Sequence, residues 1–150
     1  MPSGKELRKW ARSRFTPEMA ARGFAPIQGT RFAYSREING IRQCIAAQQS
    51  RWSPNVWIHV YMKGDDKTPG YVIGGRLGQN DVEIGGQTWS MANEAEAQES
   101  FVSILSLIDR CALPYFEKIK SLSEYRKAEQ YVRLRGVAGT GSILDTALGS

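Results

Sequence analysis

Histidine and cysteine are scarce in this chain of 150 residues, which has one histidine, His59, and two cysteines, Cys44 and Cys111. A structural zinc site usually takes four Cys or His ligands at short spacings, and these three residues lie far apart. Two distant cysteines also cannot build the disulfide framework of a small secreted domain. We therefore predict no metal site and expect both thiols to be buried.

Long apolar segments are also missing. No run approaches the ~20 apolar residues of a membrane-spanning helix. The N-terminal sequence MPSGKELRKW lacks the apolar centre of a signal peptide. We expect no membrane insertion and a cytoplasmic location. Hydrophobic residues at 41% and charged residues at 23% are ordinary for one globular domain.

No group of catalytic residues is visible. A histidine that acts as a general base needs an orienting partner and a nucleophile or substrate proton in reach. The neighbours of His59 on the same strand face would be Trp57 and Tyr61. Residues 136–142 have the glycine spacing of a phosphate-binding loop, but Ser142 stands where the lysine belongs and no buried strand precedes it. We predict no enzyme activity and no cofactor.

Positive charge is in excess but unevenly distributed. The net charge is +5. Residues 1–22 hold six Lys or Arg against two Asp or Glu, and residues 110–135 hold seven against three. Residues 64–100 reverse the balance, with two against seven. The basic regions would steer an anionic partner, although solvated helix faces are the commoner explanation of such regions.

Helical patterns occupy both ends of the chain. Apolar residues from Leu7 to Phe15 follow helical spacing, and Thr16-Pro17 predicts a restart or kink before a stop at Gly23. A second pattern begins at Asn93, an N-cap residue, and buries Ile104 and Ile108 on its apolar stripe. Pro114 is expected to end or kink this helix. Ser123 is expected to cap a final helix.

The segment from about residue 30 to residue 85 has strand patterns. Asn39-Gly40 is a strong hairpin signal, because both residues tolerate the positive φ of the turn. Residues 55–63, NVWIHVYMK, alternate strictly and predict a strand with an aliphatic face and an aromatic face.

Together these patterns predict an α+β fold. A four- to five-stranded antiparallel meander sheet is flanked by an N-terminal helix and by C-terminal helices. Residues 1–135 form one domain in this prediction. Residues 136–150 are glycine-rich and predict a flexible tail that is dispensable for folding.

The order of short motifs resembles a group of small bacterial α+β domains of unknown function, the DUF4304-like group. The motifs cover roughly residues 5–125 and comprise Gly23-Phe24, Phe32-Ala33-Tyr34, Gln48-Gln49-Ser50-Arg51-Trp52, Arg76-Leu77-Gly78, Trp89 and Ala112-Leu113-Pro114. The resemblance implies an α+β fold and a bacterial protein without an assigned reaction. Similar small domains occur among immunity proteins of toxin systems, which implies a protein partner.

The aromatic face of the predicted strand at residues 55–63 is the candidate binding site. We predict that Arg51, Trp52, Trp57, His59 and Tyr61 contact another protein, such as a toxin that the chain neutralises. The alternative is single-stranded nucleic acid, with bases stacked on the aromatic rings and Arg31, Arg42, Arg51 and Arg76 along the backbone. A homodimer, and burial of this face by the first helix, are also left open.

Overall fold

The computed structural model describes residues 2–29, 31–64 and 73–149. Within these ranges the strands are β1 Ala25–Pro26, β2 Ala33–Ile38, β3 Ile41–Gln49, β4 Asn55–Lys63, β5 Ile73–Leu77, β6 Val82–Glu83 and β7 Thr88–Ser90. The helices are α1 Gly4–Ala11, α2 Phe15–Ala21, α3 Glu94–Leu107, α4 Leu113–Glu117, α5 Leu122–Arg135 and α6 Gly141–Leu148.

The sheet is antiparallel throughout the described pairings. Strands β1 to β6 lie side by side in chain order, and β7 pairs with the first residues of β4. This confirms the predicted α+β meander, although the described part of the chain has seven strands instead of four or five. The unforeseen strands β1 and β7 have two and three residues, which is too short to show an alternating pattern.

The hairpin between β2 and β3 turns at Asn39-Gly40, as predicted. Both residues have positive φ, 55° for Asn39 and 80° for Gly40. This turn geometry fits the twist of the two strands and fixes their register. The pairing aligns Tyr34 with Ile45 and Ser35 with Cys44.

The aliphatic face of the sheet carries the core. On β4, the side chains of Val56, Ile58, Val60 and Met62 are at most 1% exposed. Helices α1 and α2 pack against α3 over this face. The rings of Phe15, Phe32 and Phe101 lie 5.0–5.7 Å apart, joining α2, α3 and the segment before β2.

The helix that starts after Asn93 continues past its predicted end. The Asn93 side chain accepts a hydrogen bond from the Glu96 N–H, so the predicted N-cap is confirmed. Residues Ile108–Ala112 form a π-helical turn, in which the Leu113 N–H donates to the Ile108 carbonyl five residues back. Pro114 has no N–H to donate, and this wider turn carries the helix into α4.

The structure places α6 in the segment that we predicted as a loose tail. Leu144 and Ala147 are buried, and Lys118 of α4 forms an ion pair with Asp145 of α6 at 2.6 Å. The Tyr115 hydroxyl donates to the Gly139 carbonyl at 2.6 Å. The glycine content concealed the apolar spacing of Ile143, Leu144 and Ala147. One of the glycines, Gly136, ends α5 at a positive φ of 61°.

Helix α5, for which Ser123 was the predicted cap, begins one residue earlier, at Leu122. Ser121, not Ser123, accepts the hydrogen bond from the Glu124 N–H and caps α5. The predicted restart near Thr16 is helix α2, which begins at Phe15; the Thr16 hydroxyl lies in its first turn and hydrogen-bonds the Tyr34 hydroxyl at 2.7 Å. No helix among the described residues has both the length and the apolar character to cross a membrane.

Candidate functional site

The aromatic face is the side of the sheet opposite the helical layer of α1, α2 and α3. On β4 it presents Trp57, His59, Tyr61 and Lys63, all of them half-buried. Directly opposite residues share a face, so the strand pairings extend this surface to β3 and β5. The added residues are Arg42, Cys44, Ala46 and Gln48 on β3, with Gly74 and Arg76 on β5.

The end of this face near Trp57 is open to solvent. The two cross-strand neighbours of Trp57, Gln48 and Thr88, are both exposed. The Arg76 guanidinium lies 4.6 Å from the centre of the Trp57 ring. This cation–π contact occupies one ring face and holds the arginine over the sheet.

The turn between β3 and β4 projects beyond this open end. The Trp52 side chain is 92% exposed, and Arg51 beside it is also exposed. Ser50 forms two hydrogen bonds within this turn. Its hydroxyl accepts from the Trp52 N–H at 3.2 Å, and its own N–H donates to the Asn55 carbonyl at 2.9 Å. The exposed tryptophan therefore sits on a hydrogen-bonded turn.

His59 lies in the middle of the aromatic face. Its Nε2 atom is hydrogen-bonded to the Gln48 amide oxygen, which also accepts from Arg76 at 3.4 Å. Burial lowers the His59 pKa from its ordinary value, and the nearby charges of Arg76 and Arg31 lower it further. The imidazole is therefore neutral at pH 7 and is hydrogen-bonded to an amide.

The other end of the aromatic face is covered. The Tyr125 ring of α5 lies so close to Gly64 that a side chain at residue 64 would overlap it. At the same end the Cys44 thiol is buried beside Tyr61, and burial raises the pKa of Cys44 despite the hydrogen bond from Tyr61. Tyr61 therefore lies away from the open end, and Cys44 is held as a thiol.

The structure brings three of the five predicted contact residues to the open part of the face: Trp57, His59 and, on the turn, Trp52. Arg51 adds charge at the rim. Tyr61 lies four residues along β4 from Trp57, a rise of ~13 Å at ~3.3 Å per residue. These five positions stay a prediction as a binding site. The placement of Trp57, His59 and Tyr61 on one face of β4 agrees with the alternation in the sequence.

Sequence reasoning missed the contribution of the C-terminal segment to this face. Val132 and Arg133 of α5, with Val137 and Ala138 after it, lie across a cleft from His59 and Arg76. No short-range sequence signal links these positions, which are far apart along the chain. Only the packing of α5 beside β5 brings them together.

Both cysteines are buried thiols, as predicted. Among residues 2–29, 31–64 and 73–149, no three His, Cys, Asp or Glu side chains are grouped as metal ligands would be. Comparison of the chain with family models, curated proteins and solved structures finds no match. The resemblance to the small bacterial domains therefore stays a prediction.

Proposed function

We propose that the chain is a non-enzymatic protein-binding module that docks a partner on the open end of its aromatic face. The carrying observation is Trp52, a large apolar side chain that is 92% exposed on a hydrogen-bonded turn and has Arg51 as its neighbour in the chain. Trp, Tyr and Arg contribute most of the binding energy in many interfaces. Exposed aromatic clusters in a monomer mark interaction sites.

The charge on this face favours an acidic partner surface. At this end Arg76 lies on the face beside Trp57 and Arg51 lies at the rim, whereas Glu83 lies on the neighbouring strand β6. Complementary charge raises the association rate and disfavours basic partners. A toxin with an acidic docking surface is one such partner. Bacterial origin, cytoplasmic location and an immunity role are parts of this proposal.

The environment of His59 supports a binding role over catalysis. A general base needs a pKa near the working pH and a partner that stabilises its protonated form. Burial and Arg76 instead oppose protonation of His59. The imidazole serves as a neutral hydrogen-bonding group that orders Gln48 beside Trp57.

A differential capture experiment tests the proposal. Wild-type protein, the Arg51→Ala/Trp52→Ala variant and a Leu134→Ala control are immobilised and exposed to extracts of the source cells. Leu134 is 75% exposed on α5, so its variant matches the loss of an exposed apolar side chain elsewhere. We expect one protein to be retained by the wild type and the control and lost from the turn variant. Equal retention by all three baits would contradict docking at this turn.

Single-stranded nucleic acid is the second candidate, favoured by the exposed Trp52 ring and the cationic side chains around it. Against it, one face of Trp57 is already covered by Arg76. Tryptophan fluorescence during titration with oligo-dT at two salt concentrations separates the candidates. Phosphate contacts would make the affinity fall steeply with salt. We expect no saturable binding at ordinary ionic strength.

A further inference from the structure

We propose that the cleft between β5 and the C-terminal end of α5 binds a small amphipathic carboxylate. The cavity has a volume of about 530 Å³. This lies within the range of ~300–1,000 Å³ that is usual for small-molecule sites. The proposal goes beyond the docking role and does not depend on it, because the cleft needs no protein partner.

Two guanidinium groups from separate elements converge on the cleft. Arg76 comes from β5 and Arg133 from the last turn of α5, and His59 of β4 also lines the cleft. Arg76 is held in place by the Trp57 ring and by the Gln48 amide. A guanidinium that is already ordered loses little side-chain entropy when it binds a carboxylate.

The carboxylates nearby leave positive charge in the cleft. Glu129 lies 3.9 Å from Arg133, at the outer limit of an ion pair. Glu83 pairs across the sheet with Arg76, yet its carboxylate packs against Gly78 instead. Among the described residues, an anion that enters the cleft therefore meets two guanidinium groups, and the Glu129 carboxylate is only loosely paired with one of them.

The walls of the cleft are apolar. Ile84 is 73% exposed and Val137 is 38% exposed, and both line the cavity together with Val132. Gly74 and Gly75 of β5 also line the cavity. Exposed aliphatic groups beside converging cations fit a ligand with an apolar body and one anionic end.

His59 is the only histidine, so its ring protons provide a specific NMR reporter inside the cleft. The probes are octanoate, octanol and acetate, titrated at constant pH and ionic strength. We expect a saturable shift of the His59 signal with octanoate. Octanol lacks the charge and acetate lacks the apolar body, so each should bind about tenfold or more weakly, equivalent to 1.4 kcal/mol.

Two variants on the same helix complete the test. Arg133→Gln should weaken octanoate binding about fivefold or more through loss of a charge-assisted contact. Arg126→Gln removes the same charge from an exposed position on α5 outside the cleft and should leave the affinity unchanged. Circular dichroism establishes that both variants fold. Absence of a saturable shift in the wild type, or equal affinities for octanoate and octanol, would overturn the proposal, as would equal effects of the two variants.

Discussion

The side chains of the nine residues of β4 alternate between two faces, and these two faces have different roles. The side chains of Val56, Ile58, Val60 and Met62 are at most 1% exposed, whereas those of Trp57, His59, Tyr61 and Lys63 are half-buried. The first set lies under helices and makes the core. The second set lies under α5 at one end and next to solvent at the other. Burial alone thus separates the part of the strand that stabilises the fold from the part that is available to a ligand.

The two faces of β4 also differ in the polar groups that they carry. A face that is wholly buried tolerates few unpaired polar groups. The aromatic face carries the His59 imidazole and the Arg76 guanidinium, which both form hydrogen bonds with the Gln48 amide oxygen. Such a surface stays stable next to water and also offers hydrogen bonds and charge to a partner.

The largest expected effect concerns the C-terminal segment that contains α6. Removal of residues 139–150 deletes the buried Leu144 and leaves the Tyr115 hydroxyl without its acceptor at Gly139. We expect a loss of ~3–6 kcal/mol in the free energy of unfolding, from lost apolar burial and the lost hydrogen bond between Tyr115 and Gly139. Chemical denaturation of the truncated and full-length chains measures it. An unchanged midpoint would restore the prediction from sequence that this segment is a dispensable tail.

The aliphatic face is tested at the helix that covers it. Ile104 is fully buried on α3, as its helical spacing predicted. Ile104→Ala should reduce the free energy of unfolding by ~2–5 kcal/mol through lost transfer energy and a cavity. Val102→Ala, two residues away and 47% exposed, is the matched control. Similar small losses in both variants would show that α3 packs through another side.

The smallest expected effect is the pH dependence due to His59. Because burial and Arg76 lower its folded-state pKa, the unfolded chain binds the proton more tightly than the folded chain. This contribution to stability is complete above the ordinary pKa of ~6.5 and declines as the pH falls through 6.5 towards the folded-state value. Urea unfolding of the wild type and of His59→Gln, over about two pH units from 7.5 to 5.5, measures this contribution.

The His59→Gln variant should lose part of the decline in stability over this range. The lowered pKa values of Asp109 and Glu96 affect stability only at more acidic pH, through the ordinary carboxylate range of ~4. An identical decline in both proteins would show that another group titrates in this range. It would contradict a His59 pKa that is lowered by burial.

Local sequence rules predicted much of this fold because the relevant signals are short-range. Alternation defined β4, Asn39-Gly40 defined the hairpin, and helical spacing defined α3 with Ile104 and Ile108 inside. The same rules failed where tertiary packing decides. The packing of α6 depends on contacts between distant segments, such as those of Tyr115 with Gly139 and of Lys118 with Asp145.

The candidate site divides in the same way. The common orientation of Trp57, His59 and Tyr61 follows from the period of a strand. Their unequal surroundings do not, because α5 covers the Tyr61 end and leaves the Trp57 end open. The cleft with Arg133 depends wholly on the position of α5 beside β5, and no pattern within either segment encodes that position.

The central claim is that the open end of the aromatic face contacts a partner and is not part of the core. The most direct test is the Trp52→Ala/Trp57→Ala double variant, measured by urea unfolding and by the differential capture described above. The account predicts a cooperative unfolding transition with the native circular dichroism spectrum and loss of the protein that the wild type retains. A variant that does not fold would make this face part of the core, and a folded variant that retains the same protein would place the docking surface elsewhere.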